Sequence, residues 1–130
     1  MKRIIGSYVI IFIVVAIIGF GGVYSHRYLD RSASKMVVEL EEVKKAVEQE
    51  KWKESRDAYA KFNENWDDAH KKWAMFTDHF ELDNIEMRLI RGQSFIDAED
   101  AINAVAEINE AIMLLEHIPE RERLTLYNIF

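Results

Sequence analysis

The sequence predicts an all-α protein: an N-terminal transmembrane helix that continues into an antiparallel helical bundle. Three observations predict it. An uncharged apolar run fills residues 4–24. Beyond it, the last 108 residues contain one Gly (Gly92) and one Pro (Pro119), too few to supply the turns of an antiparallel sheet. Apolar residues in that stretch recur at alternating steps of three and four, the spacing of one helix face.

The first element is the span. Ile4 to Tyr24 is 21 residues without a charge, bracketed by Lys2-Arg3 and His26-Arg27. At a rise of ~1.5 Å per residue it covers ~31 Å, the thickness of a bilayer's hydrocarbon core. Tyr8, Tyr24 and Tyr28 lie towards its ends, where amphipathic rings favour the interface. The competing reading is a cleaved signal peptide, cut after Gly21 in the small-x-small sequence Gly19-Phe20-Gly21. The apolar run exceeds the ~7–15 residues of a signal h-region, which favours an uncleaved anchor. Lys2 and Arg3 argue for an inside N-terminus, whereas Arg27, Arg31 and Lys35 follow the other end. A short basic tail before a first apolar helix is the signal-anchor arrangement. The expectation is a single-pass protein of the cell membrane with its C-terminal domain outside the cytoplasm.

Four soluble helices follow from the periodicity. Leu29, Ala33, Met36, Leu40, Val43 and Val47 carry the membrane helix on into a first soluble helix over about residues 25–48. Gln49-Glu50-Lys51 is a polar break. Trp52, Ser55, Tyr59, Phe62, Trp66, Ala69, Trp73 and Phe76 mark a second helix over about 52–77. Leu82, Ile85, Leu89, Gly92 and Ile96 mark a third, with Asp83 as its expected N-cap and Glu86 three residues on. Ala101, Val105, Ile108, Ile112 and Leu115 mark a fourth, which Asp97 is expected to cap and Pro119 to end. His117 then sits at a helix C-terminus. The organisation is a basic tail and transmembrane helix (1–24), a helical bundle (25–118) and an apolar C-terminal tail (119–130).

The first soluble helix rises roughly 36 Å from the membrane. If each later helix is antiparallel to the one before, the turn Asp78-His79-Phe80-Glu81-Leu82-Asp83 and the tail Leu124–Phe130 share one juxtamembrane end. Gly92 falls on the apolar stripe, where a missing side chain lets a neighbouring helix come close.

Composition excludes several function classes. The chain has no Cys, which removes disulfides, zinc–thiolate sites, thiol catalysis and a lipoprotein anchor. The glycines of a phosphate-binding loop are missing. Residues 25–130 hold 15 of the 17 Lys and Arg but all 23 Asp and Glu, a net charge of −8, which excludes a nucleic-acid face. No HExxH or nucleophile-elbow pattern occurs.

Three features carry candidate chemistry. His79, Asp83 and Glu86 form an imidazole–carboxylate set that suits a hard or borderline divalent metal, though the same residues fit a capped turn. Asp67 and His70 have the spacing of half a di-iron site without a second half. The Trp and Tyr ladder of the second helix is either a recognition groove or core. The tail ending Leu126-Tyr127-Asn128-Ile129-Phe130 docks either on its own bundle or on a membrane partner.

The short basic start, the single span, Trp66, Trp73-x-x-Phe76, His79-x-x-x-Asp83-x-Ile85-Glu86, His117-Ile118-Pro119-Glu120 and Asn128-Ile129-Phe130 together resemble one family. It is the domain of unknown function 4363 family, small single-span membrane proteins of spore-forming Gram-positive bacteria. The resemblance covers nearly the whole chain and carries over no catalytic residue. It implies an accessory role beside a YetF-like multi-span membrane protein.

The expected function is therefore that of a membrane-anchored, non-enzymatic accessory or interaction protein of the cell envelope, with no cofactor. Its expected contacts are Trp66, Trp73, Phe76, His79, Asp83, Leu126, Ile129 and Phe130. The alternative is an extracytoplasmic ligand- or metal-sensing domain centred on His79, Asp83 and Glu86.

Overall fold

The computed structural model describes residues 1–129, with the side chains of Lys2, Arg3, Thr125, Leu126, Tyr127 and Ile129 outside the description. Four helices follow in order: α1 (Lys2–Glu48), α2 (Trp52–Trp73), α3 (His79–Asp97) and α4 (Ala101–Ile129). No strand occurs among the described residues, and the fold is all-α.

α1 is one unbroken helix of 47 residues. Its first half is long and apolar enough to cross a membrane, and none of that window is buried in the protein. Its second half turns Leu29, Ala33, Met36, Leu40, Val43 and Val47 into the core, as their spacing predicts. The span therefore enters the bundle as one of its walls, with no linker between them.

The helices run antiparallel in a ring in which α1 touches α2 and α4, and α3 closes the ring between those two. Cross-helix hydrogen bonds fix the register. Trp73 Nε1 donates to Ser32 Oγ at 2.8 Å and Asn65 Nδ2 to Glu39 Oε1 at 2.8 Å, locking α2 to α1. Tyr59 Oη donates to the Leu89 carbonyl at 2.5 Å, locking α2 to α3. Burial, reinforced by the Glu86 and Asp97 charges, pushes the Tyr59 hydroxyl far above its usual pKa of 10.0.

Side-chain size decides the spacing around the ring. Tyr59, Phe62, Trp66 and Trp73 fill the interior from α2, and α2 approaches α3 least. α3 and α4 come closest, across Gly92 on one side and Ala104, Ile108 and Ala111 on the other. A Cβ at Gly92 would still lie 3.7 Å from both Glu107 Cβ and Ile108 Cγ1, an ordinary contact. The core stripe of α4 is Ala104, Ile108, Ala111, Ile112, Leu115 and Ile118, which keeps Ile108, Ile112 and Leu115 of the expected stripe, whereas Ala101 and Val105 are only half-buried. The expected stripe was displaced because alanines give no strong apolar signal, although it is they that let the helices close up.

Two of the three turns are built alike. Glu50 and Glu99 have φ of 54° and 55°, the left-handed conformation that glycine normally supplies at a helix end. In the first turn Glu50 N donates to Val47 O and Lys51 N to Ala46 O; in the other, Glu99 N donates to Ile96 O and Asp100 N to Phe95 O. Both are Schellman closures. Arg56 of α2 reaches Glu99 at 3.5 Å, joining the two turns at the end remote from the span.

Three boundary expectations are corrected. Asp78, not Asp83, caps α3, its carboxylate accepting from Phe80 N at 2.8 Å. Asp100, not Asp97, serves α4: it accepts from Asn103 N at 3.2 Å and Asn103 Nδ2 at 2.7 Å, bonds that hold its carboxyl below the usual value. Asp97 is the last residue of α3. Pro119 does not end α4, which runs through it to Ile129. The pyrrolidine ring removes the N–H that would bond the Leu115 carbonyl, but one missing bond is offset where Leu115, Ile118 and Pro119 are all buried. His117 consequently lies inside α4 rather than at its C-terminus.

Candidate functional site

The residues singled out by sequence divide between the core and the base of the bundle. Trp66 is 1% and Trp73 0% exposed, and their rings meet edge-on at 6.0 Å. Each indole N–H is used across a helix interface: Trp73 on Ser32, and Trp66 on Glu86 Oε2 at 2.5 Å. Neither tryptophan offers a surface to a partner in this fold, which corrects their place among the expected contacts. Aromatics supply large buried area, and here they also use their polar edges to set helix register.

The three residues of the metal-sensing alternative do not come together. His79 and Asp83 are exposed on α3, while Glu86 is committed to Trp66. Among the described residues no group of three His, Cys, Asp or Glu converges closely enough to hold a metal ion. Asp67 is exposed, and His70 packs its ring against Trp66 at 5.5 Å.

What gathers at the base, where the span leaves the bundle, is a mixed apolar and charged surface. The turn between α2 and α3 presents Met75 and Phe80, 72% and 69% exposed. Phe76 is half-buried, edge-on to Tyr28 at 6.4 Å, and Lys72 Nζ lies 6.0 Å from the same tyrosine ring. A small cavity of about 200 Å³ opens here between Ser25, His26 and Leu29 of α1, Phe76, and Glu122 of α4. Arg121 pairs with Glu81, tying α4 to the first turn of α3. Burial, and then the Asp78 carboxylate, raise the Glu122 pKa above its usual 4.5, with His26 opposing. His26 Nδ1 is buried without a hydrogen-bond partner. Arg121 and Glu122 of α4 thus lie beside the 78–83 turn. The Leu126 and Ile129 side chains, and Phe130, lie outside the described residues.

Sequence reasoning missed two further polar groupings. Glu107, buried on α4, accepts from Arg88 at 3.2 Å and forms an ion pair with Arg91 at 3.3 Å, and Arg88 also pairs with Glu110 at 2.9 Å. This clamp holds α3 to α4 beside Gly92, and it is invisible along the chain because its partners lie on different helices. The second is a cleft of about 410 Å³ between α1 and α4, with Ala33, Val37 and Pro119 at its floor and Asp30, Glu116 and Glu120 among its lining. Exposed Phe80 could have been found, since it falls off the Leu82–Ile85–Leu89 stripe.

A family model described as Domain of unknown function (DUF4363) matches residues 23–129, and the chain belongs to that family. No curated protein and no solved structure matches it.

Proposed function

We propose that this member of the DUF4363 family is a non-enzymatic accessory protein of the cell envelope, held in the membrane by residues 4–24 and recognising a membrane partner through the base of its bundle. The observation that carries the reading is the apolar surface of Met75, Phe76 and Phe80 beside the point where α1 leaves the bundle. Monomeric soluble surfaces scatter such residues singly, whereas a group of large ones suits contact with a second apolar surface. An uncharged span continuous with the bundle wall keeps that surface close to the bilayer interface. His79 and Asp83, exposed beside it, supply polar contacts at the rim. The domain lies outside the cytoplasm in this reading, and a YetF-like multi-span protein is the expected partner.

The metal-sensing alternative has less support, because its three residues do not converge. Detergent pull-down of the intact protein from its native membrane tests the accessory role. Met75→Asp with Phe80→Asp, and separately deletion of residues 124–130, should each reduce recovery of the partner while tryptophan fluorescence shows the bundle still folded. Unchanged recovery in both variants overturns the proposal.

A further inference from the structure

α1 and α4 lose their charge at the same height. Going down α1 towards the membrane, Arg27 is the last Lys, Arg, Asp or Glu before Arg3. Going down antiparallel α4, Arg123 is the last, and residues 124–130 hold none. The two ends are level: His26 and Arg123 line one cleft of about 410 Å³, with Asp30 and Glu120 a helical turn above them. Below Arg123, α4 stays helical to Ile129, a further ~9 Å, which reaches about the level of Phe20 on α1. α2 and α3 do not follow it down. Their connecting turn closes at this height, where Phe76 shares the smaller cavity with Gly22 and Glu122. The end of α4 therefore has α1 on one side and no other described helix beside it. Leu124 is 64% exposed, and Asn128 is exposed as well. Glu122, the last carboxylate, is half-buried in the cavity beside His26.

We infer that residues 124–129 of α4 are seated in the lipid bilayer, at the boundary of headgroups and acyl chains beside the top of the span. The inference rests on the membrane-anchored reading. With Ile4–Tyr24 filling the hydrocarbon core, Tyr24 marks its edge, and α4 passes that edge by roughly one turn, ~6 Å. Amphipathic helices settle at that depth, about 5–10 Å into the boundary. Lipid is the occupant because register and charge both select it. Antiparallel packing on α1 delivers the segment to a layer that lipid fills, and the segment carries no charge to desolvate there. Arg27, Arg31 and Arg123, exposed just above, stand at the height of lipid phosphates. Tyr127 is a residue type that favours the same boundary. The span is then one attachment and the α4 end a second. Losing the second frees the base of the bundle to turn away from the bilayer, while the Met75 and Phe80 surface stays open to a protein partner.

The chain has no Cys, so single cysteines can carry a bimane fluorophore at chosen depths. Full-length Leu124→Cys, Asn128→Cys, Val14→Cys and Ile102→Cys are labelled and reconstituted in vesicles of phosphatidylcholine and phosphatidylglycerol. Val14 lies mid-span, and Ile102, 84% exposed, lies at the remote end of α4. Lipids with a nitroxide near the headgroup end or near the methyl end of one chain quench labels at the matching depth. The shallow nitroxide should quench the label at 128 about threefold more than the label at 102, with 124 between them. The deep nitroxide should quench the label at 14 most. Tryptophan fluorescence in unmodified vesicles reports that each bundle is folded. Quenching at 128 no greater than at 102 overturns the insertion, whether the segment is then packed on its own chain or on a second copy. So does stronger quenching of 128 by the deep nitroxide than by the shallow one. The label at 14 separates the two readings. No quenching there by either lipid overturns the anchor and the insertion together, whereas quenching at 14 without quenching at 128 overturns the insertion alone.

Discussion

Glu50→Gly should stabilise the bundle. Glu50 sits at φ 54°, where an L side chain crowds its own carbonyl at a cost of roughly 1–2 kcal/mol. Glycine removes that crowding but gains freedom in the unfolded chain, which returns about 0.5–1 kcal/mol. The Schellman bonds from Glu50 N and Lys51 N are backbone bonds and survive the change. The net expectation is a gain of about 1 kcal/mol. Glu99→Gly should gain less, because it also gives up Arg56 at 3.5 Å between side chains 43% and 54% exposed. An exposed pair of that kind contributes about 0–0.5 kcal/mol. Urea unfolding of the full chain in detergent, followed by tryptophan fluorescence, measures both. Trp52, Trp66 and Trp73 all lie in α2, so the signal reports the bundle and not the span. With a urea slope of about 2 kcal/mol/M, Glu50→Gly should raise the midpoint by about 0.5 M. Glu50→Ala is the control, since it keeps the Cβ and should gain nothing. If Glu50→Gly is no more stable than the parent, or no more stable than Glu50→Ala, the assignment of strain to that turn is wrong.

Gly92→Ala should also stabilise, by about 1 kcal/mol in the same urea assay, because the helix gains propensity and the new Cβ meets only contacts of 3.7 Å; Gly92→Leu should destabilise by forcing α3 off Glu107. Trp66→Phe leaves the Glu86 carboxylate without its indole donor and opens space in the core, costing about 3 kcal/mol or more. Glu122 has a raised pKa in the fold, so its contribution is greatest below pH 4.5, where it is protonated folded and unfolded, and falls as pH rises through the folded value. Glu122→Gln should therefore stabilise at pH 7, with the advantage shrinking in acid; a benefit that grows in acid contradicts it. Tyr59→Phe should blunt the loss of stability seen above pH 10, because the unfolded tyrosine ionises there while the buried one resists.

How much of this was legible in the chain depended on what kind of force set each feature. The stripes of α1, α2 and α3 were readable because burial demands large apolar residues at helical spacing, and each of those helices carries one. The α4 stripe was half-read, since Ala104 and Ala111 contribute by being small. The break between α3 and α4 was legible where one stripe ends at Ile96 and the next begins at Ala101, but its closure was not: a glutamate in a glycine conformation looks like helix surface until the backbone is seen. Pro119 misled because its local penalty was weighed without the burial of its neighbours. At the candidate site, the approach of α4 near Arg121 to the 78–83 turn followed from topology alone. The aromatic ladder did not resolve between groove and core until Trp66 and Trp73 were seen to spend their N–H groups inside the protein.

The unbroken course of α1 makes the protein a lever. If its apolar half crosses a bilayer, as proposed, α1 has no joint at which to absorb a change of tilt. Bilayers of different thickness tilt a span of fixed length by different amounts. With a far arm of about 36 Å, a change of about 10° would swing the remote turns sideways by about 6 Å. Anything seated against the far end of the bundle would register membrane thickness as a displacement, with no change in the shape of the protein itself.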